Sequence, residues 1–381
     1  MELSKPSFNK KHFIYMLIFI MTFAISFMLA EIITVSIYSF GIPFIITLIL
    51  SGVIIDKGYR LYPMFLLLAE GILLIVLGLI YITLQAFAIN LLLIILGLLS
   101  GLTTCALMAH FADHTDEQFG KMDRSTIAGF IFSITWIIIA IAISAYITSL
   151  TSPIGLQIFS VLLIIFGVIK FAGGVCAIII KFTEGEDQSI KKYELTGGIK
   201  GFLSDSFGFI FSDRKYLVYL ISYMLIWIAQ GILSQLSSLT GLNFPQICTL
   251  GFATGGLILV AGGYMIDKIG RKNMVIYGMI LTTTSFVVYL FNMGAVLISG
   301  IAILISVIFV ILADLAPSEL RGRYSGIFMG LILIGFLVGQ IIGIGGLNPL
   351  YSMFYYISGA IISCIALVIV IIFGKDSRNL E

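Results

Sequence analysis

Charged side chains are rare in this chain, and three of them stand inside long apolar runs: Glu31, Glu70 and Lys170. An ionisable group at the centre of a membrane helix costs roughly 2.5 to 3.5 kcal/mol on insertion scales. Each of the three therefore requires a partner or a task, such as ion pairing, proton binding or contact with a solute.

Glu70 and Lys170 stand at the same depth in two different apolar runs. Glu70 lies nine residues after Leu61, and Lys170 lies eleven residues before Lys181. At about 1.5 Å per residue, both are about 14 to 17 Å from the same membrane surface. The matched depth favours a structural ion pair within one bundle of helices. A coupling or substrate-binding role, and snorkelling towards the lipid headgroups, are the alternatives.

Glu31 stands at the outer end of the first apolar run. A carboxylate there is either solvated at the membrane surface or placed in a cavity to bind a proton or a solute. The sequence leaves both interpretations open.

Further charges follow a pattern that occurs twice. The stretches "GVIIDKGYR", residues 52–60, and "GGYMIDKIGRK", residues 262–272, each place an acid four residues after a glycine and follow it with bases. The matching residues are Gly52, Asp56, Lys57, Gly58 and Arg60 in the first copy and Gly263, Asp267, Lys268, Gly270, Arg271 and Lys272 in the second. Likewise, "RSTIAG" at residues 124–129 matches "RGRYSG" at residues 321–326. The chain therefore contains an internal repeat.

The residue types in the repeat suit a contact between helices. Gly52 and Gly263 allow a neighbouring helix to approach closely. Asp56 and Asp267 stand where they can face the positive N-terminal end of a helix in the opposite half.

Basic residues of the repeat can pair with acids that end two other apolar runs. We expect Arg60 to pair with Asp113 and Arg271 to pair with Asp314. Each interaction is worth about 0.5 to 2 kcal/mol at a partly buried interface.

These residues must be positioned by membrane-spanning helices. Of the 381 residues, 60% are hydrophobic and 10% are charged, with a mean hydropathy of +1.15, whereas soluble domains carry roughly 25% charged residues. A span needs about 20 apolar residues. The apolar runs predict twelve spans, at residues 13–30, 33–55, 61–84, 87–111, 125–149, 154–180, 216–236, 245–266, 273–292, 295–315, 324–345 and 350–373.

The basic residues predict the orientation of these spans. All but one of the 21 Lys and Arg residues fall in the tails or in alternate loops, and Lys170 is the exception. The positive-inside rule therefore places both termini in the cytoplasm. We expect a multi-pass protein of the cell membrane.

The longest polar break divides the chain into two halves. We expect an N-terminal six-helix bundle at residues 1–181, a cytoplasmic linker at 182–215 and a C-terminal six-helix bundle at 216–381. Apolar residues recur at helical spacing between Ile199 and Ile210, which predicts an amphipathic helix on the inner leaflet. Repeated halves indicate a pseudo-symmetric transporter with a site between them at mid-membrane.

The repeated loop resembles the signature loop of the major facilitator superfamily (MFS), and "DLAPSELRG", residues 314–322, resembles the pattern that family carries after its tenth span. The resemblance implies an all-α integral membrane protein with twelve transmembrane helices in two pseudo-symmetric six-helix bundles. It also implies that Asp56 faces the eleventh span near Ser325 and Gly326, and that Asp267 faces the fifth span near Ser125 and Thr126.

In that family such contacts form only when the halves close on the cytoplasmic side. The loop residues would thus form a latch that favours the outward-facing state. The candidate latch residues are Gly52, Asp56, Lys57, Arg60, Asp113, Arg124, Gly263, Asp267, Lys268, Gly270, Arg271, Lys272, Asp314 and Arg321.

The resemblance further implies that the first, fourth, seventh and tenth spans line a cavity. The cavity candidates on these spans are Glu31, Asn90, Tyr223, Trp227, Gln230 and Gln235. Apart from Glu31 they are uncharged, which suits a small uncharged or amphipathic solute better than a phosphate or a dicarboxylate. We expect a secondary active transporter that works by alternating access, either driven by a proton or ion gradient or facilitative. The alternative is a non-transporting protein that keeps the fold as a sensor, a lipid-binding component or a partner subunit.

Other functional classes lack support in the sequence. No nucleophile elbow, phosphate loop or zinc-protease motif occurs, so an enzyme is not expected. The four cysteines have no metal-ligand spacing, and we expect neither a metal site nor a cofactor. The net charge of +2 gives no indication of nucleic-acid binding. We expect a monomer in contact with membrane lipid.

Overall fold

The computed structural model describes residues 10–31, 37–57, 61–80, 86–118, 120–149, 153–184, 208, 211–236, 244–289, 296–347 and 349–376. Regular structure in these ranges is helical. The amphipathic helix predicted in the linker lies outside them, apart from Gly208.

In the described part of the chain, twelve α-helices follow the twelve predicted spans, which confirms the predicted fold class. Their bounds are α1 Lys10–Glu31, α2 Ile42–Asp56, α3 Leu61–Ile80, α4 Ala86–Gln118, α5 Gly120–Ser149, α6 Pro153–Glu184, α7 Arg214–Leu236, α8 Phe244–Ile269, α9 Arg271–Tyr289, α10 Val296–Leu315, α11 Arg321–Ile344 and α12 Pro349–Phe373. A π-helical turn, Ile37–Gly41, precedes α2, and a 3₁₀ turn, Gly345–Leu347, follows α11.

The apolar character of the helices accounts for their length. Within the described residues, nine segments are long and apolar enough to cross a membrane, and two shorter apolar segments, Phe13–Ser26 and Gly300–Leu315, accompany them. In lipid a helix satisfies all of its own backbone hydrogen bonds, so long apolar runs are stable in this form.

A single glycine separates α8 from α9. Gly270 has a φ of 99°, a left-handed conformation that costs glycine little and other residues more. Its N–H donates to the carbonyl oxygen of Ile266 at 3.2 Å, which ends α8 in the manner of a helix C-cap. The turn brings the charged end of α8 directly beside the start of α9.

The two halves, α1 to α6 and α7 to α12, meet chiefly through two equivalent helix pairs. The second helix of each half packs against the fifth helix of the other, as α2 with α11 and α5 with α8. We call the end of the bundle that carries Asp56 and Asp267 the inner end; it is the end that the basic loops predict to be cytoplasmic. The latch candidates within the described residues lie at this end.

Candidate functional site

The contact between α2 and α11 is built around Asp56, the last residue of α2. One carboxylate oxygen, Oδ1, accepts the N–H of Gly322 at 2.8 Å, and Oδ2 accepts the N–H of Arg323 at 3.2 Å. The Nε of Arg323 also lies 3.3 Å from Oδ2. The contact is one helical turn before the predicted position at Ser325 and Gly326, because α11 begins at Arg321 and its exposed N–H groups belong to its first turn.

Asp267 makes the equivalent contact between α8 and α5. Its Oδ2 accepts both the N–H of Thr126 at 3.1 Å and the hydroxyl of Thr126 at 2.7 Å. In the repeat alignment Thr126 is the counterpart of Arg323. The two aspartates thus bind matching positions on opposite halves.

The two contacts differ in burial. Asp56 is 1% exposed, whereas Asp267 is half-buried. Asp56 forms an ion pair with Arg323, whereas Asp267 accepts hydrogen bonds from Thr126 and also interacts with Ser125 and Arg271. The first copy of the repeat, although one residue shorter, makes the more buried contact, and we expect it to contribute more free energy because water screens it less.

Glycines bring the backbones together beside each aspartate. A Cβ on Gly52 would lie 2.7 Å from the Cα of Arg323, and a Cβ on Gly263 would lie 2.9 Å from the carbonyl oxygen of Ser125. A Cβ on Gly129 would collide with the Cα of Gly263. Only glycine permits this approach, which is how small residues act between membrane helices.

Arg271 is wholly buried at the inner end of α9. Its guanidinium forms an ion pair with Asp314, at the end of α10, within the same half. Its Nε also lies 3.5 Å from the hydroxyl oxygen of Ser125 on α5. Arg271 therefore connects the acid of its own half to the opposite half.

Asp113 contacts the opposite half of the molecule. It forms an ion pair with Arg321, which lies on α11 in the other half. The expected partner Arg60 lies outside the described residues, as does the side chain of Arg124. Because Arg321 stands in the first turn of α11, this ion pair adds a further link between the halves at the inner end.

The remaining basic latch candidates with described side chains are three lysines, which are exposed or half-buried. Lys57 and Lys268 are exposed, and they lie at the ends of α2 and α8. Lys272 is half-buried, and its ammonium donates to the carbonyl oxygen of Ile371 on α12 at 2.9 Å. These lysines therefore do not contribute to the contact between the halves in the way that the aspartates do.

Aromatic side chains fill the space between the halves above the inner end. Phe309 of α10 packs against Phe23 of α1, Phe111 of α4 and Phe132 of α5, with ring centroids 4.8, 5.0 and 5.4 Å apart. All four rings are buried. We call these four residues the aromatic plug; one ring from the second half is enclosed by three from the first.

Trp136 continues this packing towards mid-membrane. Its indole N–H donates to the hydroxyl of Ser306 on α10 at 3.2 Å, and its ring stacks on Phe252 of α8 with centroids 4.7 Å apart. Both partners belong to the other half. The aromatic plug and Trp136 therefore pack the two halves together above the latch.

Three of the cavity candidates on α7 are buried. Tyr223 and Trp227 are stacked, and the Tyr223 hydroxyl donates to the carbonyl oxygen of Leu304 on α10 at 3.1 Å. Gln230 is 4% exposed, and its Oε1 has no hydrogen-bond partner among the described residues. Gln235 is half-buried near the end of the same helix. An unpartnered buried amide oxygen costs free energy, which makes Gln230 the candidate best suited to bind a solute donor.

Two of the cavity candidates, Asn90 and Glu31, belong to the first half of the chain. Asn90 is half-buried and accepts a hydrogen bond from the hydroxyl of Ser39 at 2.9 Å. Glu31 ends α1, and its side chain lies outside the described residues.

Glu70 and Lys170 form an ion pair with both side chains fully buried. The carboxylate also accepts the hydroxyls of Ser100 at 2.5 Å and Thr103 at 2.6 Å. The ammonium also donates to Ser26 at 2.7 Å and lies 3.1 Å from the hydroxyl oxygen of Ser100. Its three donor positions are therefore satisfied, and the network connects α1, α3, α4 and α6.

Sequence reasoning missed several residues of the interface. Arg323 can contact Asp56 because it lies in the first turn of α11, two residues after Arg321. The sequence alone does not show where that helix begins. Cys105 donates its thiol to the carbonyl oxygen of Gly322 across the interface at 3.0 Å. Trp136 carried a usable signal, because tryptophan in spans is enriched near the membrane surfaces and this one stands in mid-span.

Comparisons with known proteins agree with this architecture. Residues 216–381 match the family model of the Major Facilitator Superfamily. One similar solved structure is FucP, an MFS transporter in the outward conformation, at 13% identity, covering 96% of this chain and 99% of that one with a TM-score of 0.62. A bacterial homologue of the iron transporter ferroportin, in an outward-facing state, is 15% identical, covers 95% and 98% and has a TM-score of 0.66. A search among curated proteins finds no match.

Proposed function

We propose that this chain is a membrane transporter of the major facilitator superfamily, and that it moves a small uncharged or amphipathic solute by secondary active transport with alternating access. Transport is driven by an ion gradient or by the gradient of the solute itself, because the sequence has no nucleotide-binding loop. In this proposal, the arrangement with the inner end closed is the outward-facing state.

The observation that carries the proposal is the paired closure of the inner end. Asp56 and Asp267 bind equivalent positions of α11 and α5, and each contact joins one half to the other. Contacts made only in one of two states shift the balance towards that state. A protein that did not alternate would have no need for two matched contacts of this kind.

The character of the solute follows from the helices that face the proposed cavity. Between their ends, the described side chains of α1, α4, α7 and α10 include no acid, lysine or arginine. The candidate site offers the rings of Tyr223 and Trp227 and the amide of Gln230. Aromatic surface with one hydrogen-bond acceptor suits a solute that has an apolar body and a neutral donor group.

The test is a thermal-shift screen of the purified protein against metabolites and amphipathic compounds at pH 5.5 and 7.5. A compound that binds only the folded protein stabilises it by about 2.7 kcal/mol at a concentration of 100 Kd. We expect a neutral donor-bearing compound to raise the melting temperature, Gln230→Leu to abolish the shift, and proteoliposomes to accumulate or exchange that compound. Gln157→Leu is the control, because Gln157 is exposed on α6 and is not among the cavity candidates.

Two results would contradict the proposal. One is that no compound shifts the melting temperature and no solute crosses proteoliposomes that contain folded protein, which favours a non-transporting role. The other is that the shifts come only from anionic compounds, which rejects the solute class.

A further inference from the structure

A lipid-facing groove runs along α12 beside α9. It has a volume of about 480 Å³, and its walls include Phe286 of α9 and Tyr356, Ala360, Cys364 and Val368 of α12. The ring of Phe286 lies against Gly359, where a Cβ would be 3.0 Å from the Cζ atom of the phenylalanine. Along α12 the smaller side chains of Ala360 and Cys364 lie between larger apolar ones.

The groove is apolar and lies at the depth of the hydrocarbon core. From Tyr356 to Ile369 it is about 20 Å long at 1.5 Å per residue, compared with about 15 Å for one leaflet of a 30 Å core. The isoleucines along it, Ile357, Ile361 and Ile365, are 47%, 54% and 48% exposed. In a membrane this surface contacts acyl chains, and its shape accommodates one chain lengthwise.

Basic side chains collect where the groove reaches the inner end. Lys272 donates to the carbonyl oxygen of Ile371 in the last turn of α12, 2.9 Å away. Fourteen residues separate Lys272 from Phe286, so both lie within about 40° on one face of α9. Lys375 is exposed just after α12, and the Arg214 guanidinium lies 5.8 Å from the ring centre of Phe373. Among the described residues, Asp213 and Asp376 are the sequence neighbours of Arg214 and Lys375, so the three bases named exceed these two acids by one positive charge.

We propose that this groove binds an anionic phospholipid of the inner leaflet, with one acyl chain along α12 and the phosphate at Lys272 and Lys375. Charge complementarity selects the ligand, because the cytoplasmic leaflet is negatively charged and each lysine near it attracts anionic lipid by about 1 kcal/mol. The site depends on the predicted orientation of the inner end but is independent of transport.

Cys364 provides a direct readout, because its exposed thiol lines the groove. In a variant with Cys105, Cys176 and Cys248 replaced by alanine, a bound acyl chain shields Cys364 from N-ethylmaleimide. We expect phosphatidylglycerol added to the detergent-purified protein to slow alkylation several-fold at a concentration where phosphatidylcholine does not. Lys272→Gln with Lys375→Gln should weaken the phosphatidylglycerol effect roughly thirtyfold.

Lys268→Gln is the matched control, because Lys268 is an exposed base at the inner end of α8, away from the groove. It should leave the protection unchanged. Equal protection by both lipids, or protection that survives loss of both lysines, would overturn the proposal. Protection that requires high protein concentration and no lipid would assign the groove to a second copy of the chain, and glycerol phosphate that protects as well as the lipid would assign it to a free phosphate.

Discussion

Asp56 completes the N-terminus of a helix that belongs to the other half of the molecule, because its carboxylate accepts the N–H of Gly322 in the first turn of α11. The N-cap residue of α11 is Leu320, which has no side-chain acceptor to offer. The first N–H groups of a helix have no partner within the helix. Separating the halves at the inner end would therefore remove the cap of α11. The inner end closes and the N-terminus of α11 is capped by the same contact.

The glycine contact provides a sharp test of how closely the halves must approach. Gly262 and Gly263 are adjacent, but a Cβ on Gly262 would meet nothing nearer than 3.5 Å, whereas one on Gly263 would lie 2.9 Å from two backbone oxygens of α5. We expect Gly263→Ala to open the inner end, at a cost of about 1 to 3 kcal/mol to the closed state. Gly262→Ala should behave as the parent protein.

The measurement for this pair is the distance between spin labels placed on the inner ends of α5 and α8. Gly263→Ala should add a population with a longer distance that the parent and Gly262→Ala lack. Identical distance distributions for all three proteins would contradict the assignment of Gly263 to the closed contact.

Trp136 should contribute to the closed state through two separable interactions. Trp136→Phe keeps a ring to stack on Phe252 but loses the hydrogen bond to Ser306, and we expect a cost of about 0.5 to 1.5 kcal/mol. Trp136→Ala also loses the ring and should cost about 3 to 5 kcal/mol. Thermal unfolding in detergent measures both. Equal melting temperatures for the two variants would show that the ring does not contribute.

The buried ion pair predicts a characteristic pattern in a double-mutant cycle. Glu70→Gln or Lys170→Met alone leaves a buried charge without its counter-ion, and each should destabilise the protein by about 3 to 5 kcal/mol. The double variant removes both charges and should recover much of the stability. Thermal unfolding of the four proteins gives the coupling free energy, and additive effects would reject a structural pair.

The sequence predicted the twelve helices because each apolar run is long and bounded by charges, and the helices were confirmed. It identified Asp56 and Asp267 through the repeat, but their difference in burial depends on how α2 and α8 pack. Arg321 was expected near the latch, yet its pairing with Asp113 depends on the start of α11. The aromatic plug could not be predicted, because a phenylalanine such as Phe309 is equally compatible with packing between helices and with a lipid-facing surface.

The central claim is that contacts between the halves hold the inner end closed, and Cys105 reports on it directly. Its thiol is fully buried and donates to the carbonyl oxygen of Gly322 across the interface. In a variant with Cys176, Cys248 and Cys364 replaced by alanine, the rate of alkylation by N-ethylmaleimide measures how often the inner end opens.

We predict that Asp56→Asn raises this rate, because the variant loses the ion pair with Arg323 and weakens the cap on α11 at a cost of about 1 to 3 kcal/mol, or roughly 5- to 150-fold. Asp267→Asn should raise the rate by a smaller factor, because that contact is half-buried and more strongly screened. An unchanged rate in Asp56→Asn, with Cys105 fully reactive after denaturation, would contradict the account.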